Sequence, residues 1–402
     1  MTEPAPQAAD RDAVITGVGL VSALGEGPEA HLAALDAGAP APVDTERFAP
    51  FAVHPIVRLD LDRQIPKRGD QRQMEPWQRI GTYAAGLALA AAGVAGDTAL
   101  LAQTDMVVAA NGGERDTATD GAILSALPRQ QNPGAFLNER LHSDLRPTLF
   151  LAQLSNLLAG NISIVHGVVG SSRSFLGEES AGADALRIAC ARIAAGQSDI
   201  ALVGGACNAE RPDLLLTYAM GGYLWRDGAP PGVWSRQARG GGMAPGSAGA
   251  FLVIESRAHA TARGATPIAR VAAVAADRCR RAPGEATANA TRQLDAMRAA
   301  GLDTDGAAVL SAATGAAAAT TEEAAFLRGL GLPVRGIASQ TGVAVEASFP
   351  LAVALAAVTV QRGRLFAPLD PAEDAMDGPL RQALVTLWGH WRGEAMALVT
   401  PA

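Results

Sequence analysis

Three cysteines and six histidines are the side chains of this sequence best suited to nucleophilic or acid–base chemistry. A thiolate attacks a carbonyl carbon, and imidazole transfers protons near neutral pH. The cysteines are widely separated and odd in number, and no two of these residues have the spacing of metal ligands. We therefore expect no metal, no cofactor and no disulfide framework. The residues are Cys190, Cys207, Cys279, His31, His54, His142, His166, His259 and His390.

Two adjacent carboxylates, Glu178 and Glu179, come directly before an alanine-rich segment with helical periodicity. The helix begins near Ala181, and its alanine stripe suits close packing against a sheet. Two glycine-rich motifs carry less information. The pair Gly17 and Gly19 lacks the third glycine of a dinucleotide loop, so a tight turn explains it, and the glycines at 240–242 lack the lysine of a phosphate loop.

Short apolar runs alternate with longer helical segments along the chain. Such continuous apolar strands indicate a sheet that is buried on both faces, so the fold class is α/β. The predicted strands lie near residues 13–19, 105–110, 199–205, 249–254, 307–312 and 395–399, and the predicted helices at 77–93, 182–196 and 288–301. A glycine at the end of each helix fits a left-handed C-terminal cap.

The composition is that of a folded protein, with 49% hydrophobic and 18% charged residues. A net charge of -7 gives no basis for binding nucleic acid or anionic membranes, and no apolar run approaches the roughly 20 residues of a membrane span. With no signal-peptide pattern at its start, the chain is expected to be cytoplasmic. We expect a loose tail over residues 1–10, similar halves at 11–255 and 256–402, and a long folded surface loop over 207–250.

Four segments, in order, resemble the ketosynthases of fatty-acid and polyketide assembly. They begin at Val14, Asn156, Ala201 and Pro245, and the resemblance extends from about residue 12 to the end of the chain. It implies a thiolase fold, a duplicated five-layered αβαβα arrangement that works as a tight dimer. It also implies a cysteine nucleophile at a helix N-terminus, two histidines and a lysine.

The resemblance places other residues at all four catalytic positions. Glu179 stands where the family has its cysteine, and Thr314 stands for the histidine of Ala-His-Gly-Thr. In the Ser-x-Lys-x-x-x-Gly-His segment, Thr341 replaces the lysine and Glu346 the second histidine. No thiolate can form at Glu179, and threonine cannot serve as a base near neutral pH, so we expect no intrinsic condensing activity.

The C-terminal gate of the family, Phe-Gly-Phe-Gly-Gly, reads Trp-Gly-His-Trp-Arg here, from Trp388 to Arg392. Without the small hinge residues, the loop that admits acyl and malonyl groups is not expected to open in the same way. Trp388 and Trp391 either close that entrance or pack as ordinary core aromatics, and the sequence leaves both alternatives open.

The chain is more similar to chain-length factors, the non-catalytic partners in type II polyketide synthases, than to active ketosynthases. The resemblance implies a heterodimer with an active ketosynthase, access to acyl carrier protein through that complex, and control of chain length by the shape of the acyl tunnel. Small residues on the tunnel wall suggest a reduced polyene as product. The tunnel residues are Thr117, Ala118, Gly121, Ala122, Phe150 and Leu154, and the interface residues are Gln153, Asn156, His166 and Glu178.

A second function stays open from the sequence. Glu179, at a helix N-terminus, could decarboxylate malonyl carrier protein as a priming activity. The enolate formed would need preorganised donors, which the family supplies with its two histidines.

Overall fold

A computed structural model describes residues 8–402. Of the predicted tail, residues 1–7 lie outside this range, and Ala8–Arg11 forms a 3-10 helix, so the tail prediction is wrong for residues 8–10. Within the described residues, no helix is both long and apolar enough to cross a bilayer. The same residues contain no group of three or more His, Cys, Asp or Glu arranged to hold a metal ion.

The strands form a mixed sheet in which one connectivity occurs twice. The order is β4-β3-β5-β6-β1 in the first half and β9-β8-β10-β11-β7 in the second, and the two halves meet where β1 pairs with the start of β7. The strands are β1 Ala13–Ser22, β2 Gly25–Glu26, β3 Asp105–Ala110, β4 Ser172–Leu176, β5 Ile200–Cys207, β6 Ala248–Ser256, β7 Ala269–Asp277, β8 Ala307–Ser311, β9 Val334–Gly336, β10 Gln382–Trp388 and β11 Glu394–Thr400. This repeat confirms the predicted duplication.

Helices cover both outer faces and fill the space between the halves. Helices α3 and α8 pack on the first half, α12 and α13 on the second, and α9 and α15 lie in contact in the middle layer. The helices are α1 Gly27–Ala37, α2 Arg68–Gln73, α3 Pro76–Ala91, α4 Thr98–Gln103, α5 Thr117–Ala126, α6 Pro133–Asp144, α7 Leu149–Ala152, α8 Leu157–His166, α9 Ser180–Ala194, α10 Pro212–Met220, α11 Arg257–Ala262, α12 Glu285–Ala299, α13 Ala317–Arg328, α14 Ala338–Thr341 and α15 Ser348–Gln361. The two outer helical layers, the two halves of the sheet and the middle helical layer make five layers, which confirms the predicted α/β class.

Gly17 and Gly19 lie inside β1, where they allow α3 to approach the strand. A Cβ at Gly19 would lie 2.0 Å from the carbonyl oxygen of Ala84, and one at Gly17 would lie 2.3 Å from that of Ala88. The predicted tight turn is therefore wrong at this position. The glycines are needed because helix and strand backbones touch here, which leaves no room for a side chain.

The 207–250 segment differs from the predicted surface loop. It contains α10 and a 3-10 helix at Ser235–Arg239, and Val233, Met243 and Ala244 are buried in it. The prediction rested on a composition rich in Gly, Pro and Trp without clear periodicity, but the segment contains two helices and buries these apolar side chains.

Candidate functional site

The positions that resemble catalytic residues lie in the connections after strands of the two halves. Glu179 follows β4 at the N-cap of α9, and Thr314 follows β8. Thr341 ends α14, and Glu346 lies in the 3-10 turn that leads into α15. Of these four residues, Glu179 and Glu346 lie close enough for the charge of Glu179 to act on Glu346, although 167 positions separate them in the sequence.

Glu179 is fully buried, and its carboxylate pairs with His390 from the turn between β10 and β11. The Nδ1 atom of His390 lies 2.9 Å from Oε1 and 3.1 Å from Oε2 of Glu179. The backbone N–H of His390 also donates to Oε1, at 3.3 Å. Both carboxylate oxygens are thus engaged at the N-terminus of α9, where the helix dipole also favours negative charge.

Two tyrosines hold the ring of His390 from α10 and the turn after it. The rings of Tyr218 and Tyr223 contact it edge to face, with centroids 5.1 and 4.7 Å away. Burial lowers the pKa of His390, but the nearby carboxylates of Glu179 and Glu178 outweigh it, so the pKa lies above its ordinary value of 6.5. The carboxylates therefore stabilise the protonated form of His390 relative to that of an exposed histidine.

Glu346 is a second buried carboxylate near the first. Burial, with a smaller contribution from the charge of Glu179, raises its pKa from 4.5 to about 8. Its Oε2 has no hydrogen-bond partner among residues 8–402. A carboxyl group in such surroundings is neutral at pH 7, so Glu346 cannot act there as the general base that a histidine would provide.

The backbone at Val345 supports the assignment of Glu346 to the second histidine position. Val345 has a φ of +39°, a left-handed conformation that is rare for a β-branched residue. In the family pattern this position is the glycine of Gly-His, a residue that adopts positive φ without strain. The turn therefore has the backbone conformation that suits the glycine, although the residue is valine.

Thr314 and Thr341 are buried, and their hydroxyls form hydrogen bonds with backbone groups of nearby residues. Thr314 accepts a hydrogen bond from the N–H of Ala316 at 3.2 Å. The hydroxyl of Thr341 points at two carbonyl oxygens, those of Ile337 at 3.2 Å and Gly342 at 3.0 Å. The hydroxyl proton of Thr341 is therefore engaged by backbone carbonyls, and neither threonine can act as a base near neutral pH.

Two small cavities lie near these residues. A cavity of about 10 Å³ lies beside Thr341 and Ser348, which is barely the space of one water molecule. A second cavity, of about 190 Å³, lies on the other side of the 389–393 turn and is lined by His390, by the glycines at 221–222 and 240–242, and by the alanines at 316–318. Glu179 is not among its lining residues.

The two tryptophans of the gate segment have different environments. Trp388 is fully buried in the second half and packs on Phe326, with ring centroids 5.8 Å apart, so it is a core residue. Trp391 is 52% exposed and stacks under the guanidinium of Arg392. The hypothesis that Trp388 and Trp391 close the entrance is therefore wrong. His390 between them covers Glu179.

The predicted tunnel residues lie on the surface of this chain. Thr117, Ala118, Gly121 and Ala122 form one exposed stripe along α5, Phe150 on α7 is 72% exposed, and Leu154 is half-buried. None of the five cavities identified among residues 8–402 is lined by these side chains. Any tunnel that they border would therefore need a second subunit as its opposite wall.

Of the predicted interface residues, Asn156 is exposed, and Gln153 and Glu178 are half-buried. His166 differs, because its Nε2 lies 2.9 Å from the carbonyl oxygen of Thr82 in α3. That bond places the ring in the packing between α8 and α3, so the prediction of His166 as an interface residue has no support in its contacts.

An apolar surface surrounds the free edge of β4. Strand β4 is the last strand of its half, and its other edge has no strand partner within the described residues. Five exposed apolar side chains lie on α7, α8, β4 and the segment joining the last two: Phe150, Leu151, Ile164, Val169 and Leu176. Free strand edges with exposed apolar side chains are normally covered by a partner.

Comparisons with known proteins identify the family and the fold. The family description "Beta-ketoacyl synthase, N-terminal domain" matches residues 10–260. A 3-oxoacyl-[acyl-carrier-protein] synthase 2 of Vibrio cholerae is 25% identical over 270 residues, which is 65% of this chain and 62% of that protein. The chain thus matches somewhat less than two thirds of that relative.

Solved structures with the same fold cover nearly the whole chain. The ishigamide ketosynthase/chain length factor has a TM-score of 0.77 at 21% identity and covers 98% of this chain and 99% of its own. A type II polyketide synthase acyl-carrier protein in complex with its ketosynthase gives 0.75 at 18% identity, with 98% and 100% covered. Identities this low show the fold alone.

Sequence reasoning did not identify His390 as a site residue. Its position at the centre of the gate segment was the available signal, but its partner Glu179 lies 211 residues earlier in the chain. Only the fold brings the two residues together.

Proposed function

The chain belongs to the β-ketoacyl synthase family, and from that premise we propose that it is a non-catalytic chain-length factor. In this role it binds an active ketosynthase as a heterodimer and forms one wall of the acyl tunnel. The observation that carries the proposal is that Glu179 is fully buried and paired with His390, at the position where the resemblance implies a reactive thiol. Length control needs a shaped apolar wall and no chemistry of its own.

The free edge of β4 and the apolar side chains around it support a stable partner. A chain with such a surface gains free energy by burying it, at about 25 cal/mol for each Å² of apolar area. The exposed stripe on α5 supports the tunnel assignment, since its small residues leave space for an acyl chain that passes between two subunits. The partner would supply the cysteine and both histidines.

Decarboxylation of malonyl carrier protein through Glu179 is the weaker proposal. Both oxygens of Glu179 already bind His390, and neither cavity at the site is lined by this carboxylate. Protonated Glu346 and the threonines give no paired imidazoles to stabilise an enolate.

Co-expression tests the proposed function. The chain is produced alone and together with a ketosynthase that retains Cys-His-His, and mass is measured by light scattering after size exclusion. We expect aggregates or weak homodimers alone and a stable heterodimer together, because the apolar surface needs a partner. The complex should condense malonyl units, and the chain alone should release no carbon dioxide from malonyl carrier protein. A stable monomer at micromolar concentration would contradict the proposal.

A further inference from the structure

We propose that His390 is a positioning residue whose ion pair with Glu179 holds the 389–393 turn closed over the N-terminus of α9. The closed turn keeps acyl thioesters out of this subunit, so the growing chain can enter only the partner's active site. This consequence rests on the proposed function, whereas the closure itself concerns the chain alone.

Several contacts fix the turn against α9. The pair between His390 and Glu179 is its buried contact, with three distances of 2.9 to 3.3 Å. On one side, Arg281 donates to the carbonyl oxygen of Gly389 at 2.9 Å. On the other, a Cβ at Gly393 would lie 2.8 Å from that of Ser180, so the turn lies directly on the first residue of the helix.

The charges around His390 make Glu179 the decisive partner. The His390 side chain is only 6% exposed, and a buried imidazolium is costly without an opposite charge beside it. Glu178 and Glu179 face it from α9, while Arg281 opposes its protonation. Arg392, two residues along the turn, lies 3.6 Å from Glu178. The rings of Tyr218 and Tyr223 enclose the remaining sides.

The two cavities show why closure matters for specificity. The outer cavity, of about 190 Å³, is lined by His390 and not by Glu179, and the inner cavity, beside Thr341 and Ser348, has only about 10 Å³. A thioester could reach α9 from the outer cavity only if the imidazole moved away, and that movement would separate two buried charges. Removing one partner of such a pair leaves the other unpaired, so the closed state is strongly favoured.

The titration of His390 is the first test, and it uses the full chain. Proton NMR follows the six histidines from pH 5 to 9, and the signal of His390 is identified by its loss in His390→Phe. We expect a pKa above 6.5 in the unaltered chain. In Glu179→Gln it should fall below 6.5, because burial then dominates. A wild-type value at or below 6.5, or no change in Glu179→Gln, would overturn the proposal.

Chemical labelling then measures the closure. Ser180→Cys places a thiol under the turn, with Cys190 and Cys279 changed to serine, and iodoacetamide is the probe. We expect His390→Phe to raise the labelling rate of this thiol at least about tenfold. Loss of a positive charge near the thiol raises its pKa and alone would slow the reaction, so faster labelling reports an opened turn.

Trp391→Ala is the matched control in the same turn, and it should leave the labelling rate unchanged because this side chain is exposed. If His390→Phe does not fold, His390→Gln replaces it both in the labelling experiment and in the assignment of the His390 signal. An unchanged labelling rate in folded His390→Phe would contradict the closure.

The two proposals fail separately. If the His390 titration and labelling give the expected results but no ketosynthase binds, only the proposed function is contradicted. If His390 titrates as an ordinary imidazole while the heterodimer forms and elongates acyl chains, only the proposed closure of the turn is contradicted.

Discussion

Replacing Glu346 by glutamine tests whether burial shifts the pKa of this carboxyl group as far as the structure implies. Glu346 is buried, and its pKa of about 8 lies well above the 4.5 of an exposed glutamate. The folded state therefore binds a proton that the unfolded state has released. The contribution of Glu346 to the free energy of unfolding is fully present below pH 4.5 and is lost as the pH rises through about 8. Glutamine has nearly the same shape and carries no charge, so the variant should not show this loss.

The size of the effect follows from the displacement of the pKa. One pKa unit corresponds to about 1.4 kcal/mol, so a rise from 4.5 to about 8 gives a difference of about 3 to 5 kcal/mol. Glu323 is also buried, with its pKa raised to about 7, and shifts stability in the same direction. The quantity to measure is therefore the difference between wild type and Glu346→Gln at each pH.

Urea unfolding at pH 5, 6.5, 8 and 9 supplies this difference. We expect Glu346→Gln to gain stability relative to wild type as the pH rises, with most of the gain between pH 5 and 8. Glu139→Gln, on the exposed face of α6, is the matched control, and its free energy of unfolding should show the same pH dependence as that of the wild type. A difference that does not change with pH would show that Glu346 titrates as a solvated carboxylate, and would refute the reasoning from burial.

Three further predictions concern the tunnel, the lost nucleophile and the packing of the first half. Thr117→Phe on α5 should shorten the products of the complex by filling its tunnel, whereas Thr291→Phe on the exposed face of α12 should not, as chromatography of the released chains will show. Glu179→Ala should leave condensation by the complex largely intact, and Glu179→Cys alone should not restore it in radiolabelled malonyl assays, because the other three catalytic positions remain changed. Gly19→Ala should lower the unfolding free energy by about 2 to 3 kcal/mol in denaturant titration, since its Cβ would lie 2.0 Å from the carbonyl oxygen of Ala84.

Local patterns in the sequence predicted much of the architecture. Continuous apolar runs marked β1, β3, β5, β6, β8 and β11, and glycines at 93, 196 and 301 end helices with positive φ, as expected. These features depend on neighbouring residues, so a short window contains the information. Strand β4 was not recognised, because its polar and exposed residues do not form an apolar run.

The sequence also predicts that Glu179 replaces the nucleophile, because this residue comes directly before a helix whose pattern is clear. It does not predict the contacts of the 389–393 turn. His390 pairs with Glu179 across 211 residues, and Trp388 is buried on Phe326 while Trp391 faces solvent. Their shared segment gives no sign of these different environments. Contacts of this kind depend on how β10 and β11 are placed relative to α9, which is a property of the tertiary structure. The sequence thus determines which reactive groups are absent, and the fold decides which groups occupy their place.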